Sequence, residues 1–273
     1  MRIALTGASG IVGSFVLDAM RVAGHQVTTL DRRTGFVLGD APDLAGQDAL
    51  IHCAFAHSPG RYRGGEGGDP AGFRRDNLHG TIRLFDAAAE AGVGRILFLS
   101  SRAVHDGHPP GTALTDDLPA SPANLYGEIK ARAEEHLAAL GLSGTSIRAT
   151  GIYGPSPHHK WLGLFRDYLS GNRIAPRVGT ELHGYDLAQA LLMLLEHDAP
   201  PPRVNASDLI LDRHDLLDAV RRLSGSRHPL PDRADVQDLR PLRCDVLTRM
   251  GWRPGGMARL HADLPAMLRP ALP

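Results

Sequence analysis

The feature that most constrains the fold is a glycine-rich stretch near the N-terminus, placed between an apolar run and a helical pattern. The apolar run Ile3–Leu5 is typical of a buried strand, the glycine-rich residues are 6–10, and helical spacing covers Ile11–Ala23. A tight turn from a strand into a helix leaves unpaired backbone N–H groups at the helix N-terminus, and these hold phosphate oxygens. The stretch therefore predicts a dinucleotide-binding loop, although a glycine pattern alone also marks ordinary turns.

Each glycine of this loop has its own task. Gly7 allows the tight turn, Gly10 removes the Cβ that would block a pyrophosphate, and Gly13 lets the helix lie close to the strand. The residues expected to contact a dinucleotide here are Gly7, Ser9, Gly10, Ile11, Val12 and Gly13.

The first half of the chain alternates short apolar runs with helical patterns. The strands predicted after the loop are Gln26–Leu30, Ala49–Ile51, Arg95–Leu99 and Thr145–Arg148, and the helices predicted between them are Leu78–Ala91 and Gly127–Leu140. Such alternation indicates right-handed crossovers, and hence a parallel sheet with helices on both faces. The predicted fold class is α/β, a Rossmann-type doubly wound parallel sheet.

The pattern changes in the second half, which favours a second, smaller domain. This half contains predicted helices over Trp161–Leu169 and Asp186–Glu196, then short helices and proline-rich turns over Asp208–Pro273. We predict a dinucleotide-binding domain over residues 1–154 and a mainly substrate-binding domain over 155–273. The helix at 186–197 is expected to pack back on the first domain.

Two loop-like stretches follow predicted strands. Ser58–Pro70 is rich in Gly and Arg, and His105–Pro122 is rich in Pro, Gly and Asp. Because ligands bind at the carboxyl ends of strands in open α/β sheets, each loop either faces the substrate or is a mobile surface connection.

Composition excludes several classes of partner. Lys plus Arg and Asp plus Glu number 30 each, so no bulk charge attracts nucleic acid or an anionic membrane. No apolar run approaches the roughly 20 residues that span a bilayer, and a strand begins at once, without room for a signal peptide. Two cysteines fit a reducing compartment, so we expect a cytoplasmic protein. No metal is expected, since His158 and His159 lack further ligands at metal-binding spacing.

Asp31 ends the second predicted strand, 18 residues beyond Gly13. A carboxylate there accepts the ribose hydroxyls of NAD and repels the 2′-phosphate of NADP. Arg32 and Arg33 follow it, and a guanidinium can hold that phosphate. NAD is therefore the predicted cofactor, with NADP as the alternative.

Tyr126 and Lys130 lie four residues apart at the start of a predicted helix, so they share one face. A free tyrosine has a pKa near 10, and a neighbouring ammonium and a bound nicotinamide cation both favour the phenolate. Lowering that pKa by about three units takes about 4 kcal/mol, much of which one close cation supplies in a partly buried site. Tyr126 is therefore a predicted general acid/base, with Ser101 holding the substrate oxygen.

In their order along the chain, these motifs resemble the extended short-chain dehydrogenase/reductases, the NAD-dependent epimerase/dehydratase family. The resemblance spans most of the chain, and the set is far more specific than any single motif. The matching residues are 6–13, Asp31, 51–54, 77–81, Ser100-Ser101, 126–130, 148–155 and 247–254.

The resemblance implies a catalytic set of Ser101, Tyr126 and Lys130, with Lys130 also binding the nicotinamide ribose. It implies a homodimer formed through the helices at 78–91 and 127–140, by analogy alone. The cofactor contacts beyond the glycine loop that it implies are Asp31, Arg32, Asp40, Cys53, Ala54, Phe55, Asn77, Ser100, Tyr126, Lys130, Gly151 and Ile152.

Four departures from the family pattern bear on the substrate. Arg102 and Ala103 stand where family dehydratases carry an acidic pair, so sugar-nucleotide dehydration lacks its acid and base. His105 replaces a tyrosine, Gly151 replaces an asparagine expected near the substrate, and residues 177–186 lack the usual arginine followed by a hydrophobic strand. These departures weaken the case for a nucleotide-diphosphate sugar and leave room for a smaller polyol, sugar acid, lactone or aldehyde. The candidate substrate contacts are His57, Arg102, His105 and His158.

Three functions compete. The first is an NAD-dependent oxidoreductase acting on a secondary hydroxyl or carbonyl of a sugar, a sugar acid or a similar small polar substrate. The alternative is an NAD-dependent epimerase that oxidises and re-reduces one carbon of a sugar or nucleotide sugar. A non-catalytic dinucleotide sensor ranks behind both, because the chain keeps Ser101, Tyr126 and Lys130.

Overall fold

The computed structural model describes residues 1–57 and 65–272. The predicted loop Ser58–Pro70 therefore lies in large part outside the described residues. The strands are β1 Arg2–Thr6, β2 Gln26–Leu30, β3 Ala49–His52, β4 Arg95–Leu99, β5 Ser143–Ala149, β6 Gly151–Tyr153, β7 Val178–His183, β8 Arg203–Ala206 and β9 Leu209–Asp212.

Helices follow most strands. They are α1 Ile11–Val22, α2 Pro70–Arg74, α3 Gly80–Glu90, α4 Leu125–Ala139, α5 Leu162–Leu169, α6 Gly184–Glu196, α7 Arg213–Ser224, α8 Asp245–Arg249 and α9 Gly256–Leu268. A π-helical turn over Arg75–His79 joins α2 to α3. The helix that the sequence predicts from Leu78 therefore begins earlier, at Pro70, with Asp69 as its N-cap. None of these helices, in the part of the chain described, is long and apolar enough to cross a bilayer.

The main sheet has six strands in the order β2-β1-β3-β4-β5-β8, and all of its pairings are parallel. From β1 the chain goes outward to β2 and then returns to the other side for β3, so the order reverses between β1 and β3. In open α/β sheets a ligand crevice lies at such a reversal, beyond the carboxyl ends of the strands. The Rossmann-type doubly wound sheet that the sequence predicts is confirmed.

Two apolar cores cover the faces of this sheet. On one face α1 and α6 pack together through side chains that include Val16, Met20 and Leu191. On the other face α3 and α4 contribute buried side chains that include Phe85 and Ile129. Because both faces are covered, β1, β3 and β4 are nearly continuous apolar runs, which is why their sequences were easy to assign.

A second, three-stranded sheet corrects part of the sequence prediction. Its order is β6-β7-β9, with β6 parallel and β9 antiparallel to β7. Residues 177–186 were expected to lack the family's hydrophobic strand; β7 over Val178–His183 shows that a strand is present there, formed by mixed polar and apolar residues. The strand contains Gly179, Glu181 and His183, so it has no apolar run to reveal it.

A buried polar cluster fixes the C-terminal helices against the start of α6. His183 Nε2 lies 2.9 Å from Asp263 Oδ2 of α9. Asp186 is fully buried and receives the backbone N–H of Gly255 at 3.0 Å, while its other oxygen lies 3.1 Å from Arg259 Nε. These contacts join α9 to the end of β7 and the start of α6. A third apolar core lies beside the small sheet and includes Tyr153 of β6 and Leu264 of α9.

His52 lies at the end of β3, inside the core that α3 covers. Its Nδ1 is 2.6 Å from Thr6 Oγ1 of β1, and its Nε2 is 3.0 Å from Thr81 Oγ1 of α3. Burial, and to a smaller extent the charge of Lys130, lower the pKa of His52 to about 3. The imidazole is thus a neutral link between β1 and α3 at neutral pH.

We expect acid to destabilise the fold partly through His52. The unfolded chain binds a proton below its ordinary pKa of about 6.5, whereas the native imidazole stays neutral down to about 3. The free energy of unfolding therefore falls as pH falls from 6.5 towards 3. His52→Asn should reduce this slope by about 1 kcal/mol per pH unit on average in urea unfolding between pH 6.5 and 5.

The exposed His261 of α9 supplies the control. His261→Asn should leave the slope as it is in the wild type, because this side chain lies at the surface and not in the core. Equal slopes for wild type and His52→Asn would show that the buried imidazole does not resist protonation.

Candidate active site

The glycine loop is packed so closely that side chains are excluded at two of its positions. Gly7 has φ +72°, and a Cβ there would lie 2.8 Å from the backbone nitrogen of Ala54. A Cβ on Gly13 would lie 2.0 Å from the carbonyl oxygen of Gly7. The loop therefore holds the start of α1 against the ends of β1 and β3, at the reversal of strand order.

The N-terminus of α1 is open for an anion. Gly10 is the N-cap, with no side chain to cap the helix, and the first turn of α1 contains no acidic residue. Ser9 and Gly10 are exposed. Free N–H groups and the positive end of the helix dipole fit a pyrophosphate, so this cradle suits the dinucleotide that the sequence predicts.

Asp31, at the end of β2, is only partly available to a ribose. Its Oδ1 accepts the backbone N–H groups of Arg33 at 2.9 Å and Thr34 at 3.3 Å, and so caps a short 3₁₀ turn. The predicted cofactor residues Arg32 and Asp40 are exposed, and Asp40 accepts the backbone N–H of Val37 at 2.8 Å. A cavity of about 200 Å³ beside Asp31 is lined by Ala8, Ser9, Leu17, Arg21, Thr29, Asp31, Arg33 and Thr34.

The segment that follows β3 is held in place by two polar side chains. Thr6 Oγ1 accepts the N–H of Ala54 at 3.2 Å. Asn77 is buried, and its amide exchanges hydrogen bonds with the backbone of Ala56, at 2.7 and 2.8 Å. Burial also raises the pKa of the Cys53 thiol to about 12, so this thiol is not reactive. Asn77 therefore supports the wall of the predicted cofactor site.

Lys130 is buried in α4 and points at the end of β4. Its Nζ donates a hydrogen bond to the carbonyl of Leu99 at 2.7 Å and lies 4.7 Å from the ring centres of both Phe55 and Phe98. Burial lowers the pKa of Lys130 to about 7, and the nearby carboxylate of Glu134 opposes this shift. The ammonium is thus held by aromatic faces and one carbonyl, within reach of the segment that follows β3.

Tyr126 and Ser101 lie on the same side of the molecule. The rings of Tyr126 and Phe55 pack in a T-shaped arrangement with centroids 5.0 Å apart, so Phe55 contacts both Tyr126 and Lys130. Ser101 follows β4, and its hydroxyl accepts the N–H of Ala103 at 3.2 Å as the cap of a 3₁₀ turn. The predicted catalytic set thus surrounds the carboxyl ends of β3 and β4, beside the glycine loop.

A buried ionic network beneath this set was missed by the sequence analysis. Arg148 of β5 makes a bidentate pair with Glu134 of α4, with Nη2 2.7 Å from Oε2. Ser100 Oγ donates to the other Glu134 oxygen at 2.5 Å. Ser100 is therefore a structural residue in this structure, although it was predicted to contact the cofactor. Glu134 lies four residues after Lys130, and that spacing was the signal.

The four candidate substrate contacts differ in their surroundings. Arg102 pairs with Asp106 at 2.9 Å, and His158 is exposed. His57 is half-buried and adjoins the undescribed residues. His105 has no exposed surface and lies 3.3 Å from an Arg148 nitrogen, so a substrate in the crevice does not reach its ring.

Gly151 and Ile152 begin β6, directly after β5. Gly151 faces the side chains of Lys160 and Glu181, which hydrogen-bond to one another. Neither of these residues was predicted from the sequence to have a role. Glu181 is on β7 and Lys160 lies between β6 and α5. Their contact with Gly151 depends on the pairing of the small sheet, which no local sequence pattern predicts.

A family model decides the relationship. The model described as NAD dependent epimerase/dehydratase family matches residues 3–207, well over half of the chain. This chain belongs to the NAD-dependent epimerase/dehydratase family. The resemblance found in the sequence is confirmed, and so is the assignment to the NAD-dependent enzymes of the short-chain dehydrogenase type.

Members of this family with known names include epimerases and dehydratases. The chain is 31% identical over 176 residues to a UDP-glucose 4-epimerase of Corynebacterium glutamicum, covering 56% of this chain and 53% of that protein. It is 30% identical over 238 residues to a dTDP-glucose 4,6-dehydratase of Streptomyces niveus, covering 71% and 69%. The matched part thus spans about half to two thirds of these relatives.

The same fold occurs in solved structures of the family. The UDP-glucose 4-epimerase of Thermus thermophilus, in complex with NAD, superposes with a TM-score of 0.79, covering 100% of both chains at 23% sequence identity. At this identity the likeness shows the fold alone. It confirms the arrangement of the main sheet and does not identify a substrate.

Proposed function

We propose that this protein is an NAD-dependent epimerase that inverts one secondary alcohol of a sugar, with Tyr126 as general acid/base. The observation that carries the proposal is the grouping of Ser101, Tyr126 and Lys130 around the carboxyl ends of β3 and β4, next to the glycine loop. Relatives named as UDP-glucose 4-epimerase support this choice over a dehydrogenase with net turnover of cofactor.

The residues around the reversal of strand order fit a dinucleotide. Gly7, Gly10 and Gly13 would let its pyrophosphate approach the N-terminus of α1, and Asp31 Oδ2 would accept a ribose hydroxyl. NAD supplies a hydride acceptor that can return the hydride to the same carbon. The Asp31 carboxylate favours NAD over NADP, because it would repel a 2′-phosphate.

Tyr126 would take the proton of the sugar hydroxyl as the carbon is oxidised, and would return it when the carbon is reduced. Lys130 as an ammonium favours the phenolate form of such a tyrosine. Its burial among Phe55 and Phe98 strengthens that electrostatic effect, because little water screens it. Ser101 would hold the substrate oxygen by a hydrogen bond.

Dehydration of the sugar is less compatible with the residues after Ser101. Arg102 is engaged by Asp106, and Ala103 is buried and has no functional group. An elimination needs an acid and a base close to the oxidised sugar, and these two positions supply neither. The proposal therefore differs from the activity named for the Streptomyces niveus relative.

The test is an NMR assay of the NAD-loaded protein with UDP-glucose, UDP-glucuronic acid and UDP-N-acetylglucosamine. An epimerase gives an equilibrium mixture of two isomers without a net change in absorbance of the nicotinamide. Accumulation of NADH in proportion to product would instead establish the dehydrogenase. Conversion of none of these sugars, nor of their free sugars, would contradict the proposal. A homodimer remains a prediction, through α3 and α4.

A further inference from the structure

The short turn that follows Ser101 lies directly against the start of α4. The turn covers Arg102–His105, and the Ser101 hydroxyl caps it. A Cβ on Gly127 of α4 would lie 2.5 Å from the carbonyl oxygen of Ala103, so the lack of a side chain at this position allows the close approach. Ser101 and Tyr126 therefore belong to two elements that pack together through their backbones.

Asp106 ends this turn and connects it to α4. Its Oδ1 accepts a hydrogen bond from Arg102 Nη1 at 2.9 Å. Its Oδ2 accepts a hydrogen bond from the side-chain amide of Asn124 at 3.4 Å. Asn124 is the N-cap of α4, and its own Oδ1 accepts the backbone N–H of Gly127 at 2.9 Å. One carboxylate therefore joins the first residue of the turn to the cap of the helix that contains Tyr126.

The ion pair within this link is shielded from water. The side chains of Arg102 and Asp106 are 19% and 13% exposed, so little water is at hand to replace a lost partner. Hydrogen bonds between ionised groups are stronger than those between neutral groups, and a poorly solvated place strengthens them further. The link is therefore suited to hold the turn and the start of α4 in one arrangement.

Arg240 holds the same turn from the C-terminal half of the chain. Its guanidinium donates hydrogen bonds to the backbone carbonyls of Asp106 at 3.4 Å and Pro109 at 3.2 Å. Its own carbonyl accepts a hydrogen bond from Arg102 Nη2 at 3.3 Å. Asp106 is thus held through its backbone and Arg102 through both of its Nη atoms, so the carboxylate that contacts Asn124 has little freedom to move.

We propose that Asp106 is a positioning residue, which fixes Ser101 relative to Tyr126 through its bonds to Arg102 and Asn124. The inference rests on the proposed function, in which Ser101 holds the sugar oxygen whose proton Tyr126 takes. Both hydroxyls must meet the same oxygen, and a displacement of about 1 Å costs on the order of 10²-fold in rate. Asp106 acts without contacting the substrate, so its loss lowers kcat and leaves the binding of the sugar unchanged.

Three variants test this role. Asp106→Ala removes both acceptor oxygens, Asp106→Asn keeps one of them, and Arg102→Met breaks the ion pair from its other side. Kinetics of the NAD-loaded proteins give kcat and KM for the sugar that the NMR assay identifies, and unfolding temperature and NAD affinity verify the fold. Hydrogen exchange followed by mass spectrometry compares peptides that cover residues 101–106 and 124–130, and so measures positioning without relying on activity.

Asp218→Ala on α7 is the matched control. It removes an ion pair of the same four-residue spacing, with Arg222, and the Asp218 side chain is 19% exposed. Because α7 packs in the third core, beside the small sheet, this variant should keep the wild-type kcat and the wild-type exchange in both peptides.

We expect Asp106→Ala to lower kcat about tenfold to a hundredfold, with KM within about twofold of wild type. Exchange in both peptides should become about tenfold faster, because the turn and the start of α4 lose the same partner. Asp106→Asn should fall between Asp106→Ala and wild type, and Arg102→Met should lower kcat without raising KM.

Unchanged exchange in either peptide of Asp106→Ala, or an unchanged kcat, overturns the positioning role. A raised KM in Arg102→Met alone also overturns it, because Arg102 would then be a substrate contact. If the wild type converts no sugar while both peptides of Asp106→Ala exchange faster, the proposed function fails and the structural role of Asp106 is supported. The two failures are therefore distinguishable.

Discussion

Tyr126→Phe is expected to lower turnover by roughly 10²- to 10⁴-fold while leaving the affinity for NAD within about twofold. The reason is that the hydroxyl is the proposed proton carrier, and a general acid/base contributes rate enhancements of that size. The ring itself keeps its edge contact with Phe55, so the wall of the crevice is preserved. The measurement is kcat for the sugar that the NMR assay identifies, together with a fluorescence titration of NAD.

The matched control is Tyr185→Phe. Tyr185 is 37% exposed near the start of α6, and its ring packs on Phe15. Its loss of a hydroxyl should leave kcat unchanged. If Tyr126→Phe turned over substrate at the wild-type rate, the acid/base role would have to move to another residue. If it lost NAD affinity instead, the role of Tyr126 would be in binding.

Arg148→Met is expected to be strongly destabilising. Arg148 and Glu134 are almost fully buried, with side chains 1% and 5% exposed. Removing the guanidinium leaves a buried carboxylate without its partner, which costs about 3–5 kcal/mol. A chain of this size then loses on the order of 10 °C in Tm. Thermal unfolding followed by circular dichroism at pH 7 measures the loss.

A double variant separates the destabilisation caused by an unpaired buried charge from the contribution of the intact ion pair to the free energy of unfolding. Glu134→Leu/Arg148→Met removes both charges and should recover much of the lost Tm, because an apolar replacement of a buried pair is often close to neutral. Arg233→Met is the surface control, since Arg233 pairs with Asp215 in an exposed position, and its Tm should match the wild type. A single variant as stable as wild type would contradict this account.

The same network links stability to the site. Ser100, the residue before Ser101, donates a hydrogen bond to Glu134. Glu134 lies on α4, as do Tyr126 and Lys130. One buried carboxylate therefore fixes the end of β4 against α4, the helix that contains the proposed catalytic residues. The folded fraction of the purified Arg148→Met variant should show a reduced kcat as well as a reduced Tm.

Most strands of the main sheet, all but its edge strand β8, were predictable from the sequence, because burial on both faces leaves a signature in the chain. β1, β3 and β4 are short apolar runs, and the glycine loop separates the first of them from its helix. Four short strands gave no such signature. β6, β7, β8 and β9 have three to six residues and mix polar with apolar side chains. Their pairing depends on neighbours distant in the chain.

By itself, the sequence determined the dinucleotide loop, the parallel sheet, the family and the identity of the proposed catalytic residues. Each of these depends on local spacing or on a continuous apolar run, and such patterns are visible in the sequence without knowledge of distant contacts. Only the tertiary structure decided that Glu134 is buried against Arg148, that His105 is inside the protein, and that Lys160 meets Glu181 beside Gly151. The type of a polar residue does not show whether its side chain hydrogen-bonds to water or to another buried group. Only the packing of elements distant in the chain decides its partner.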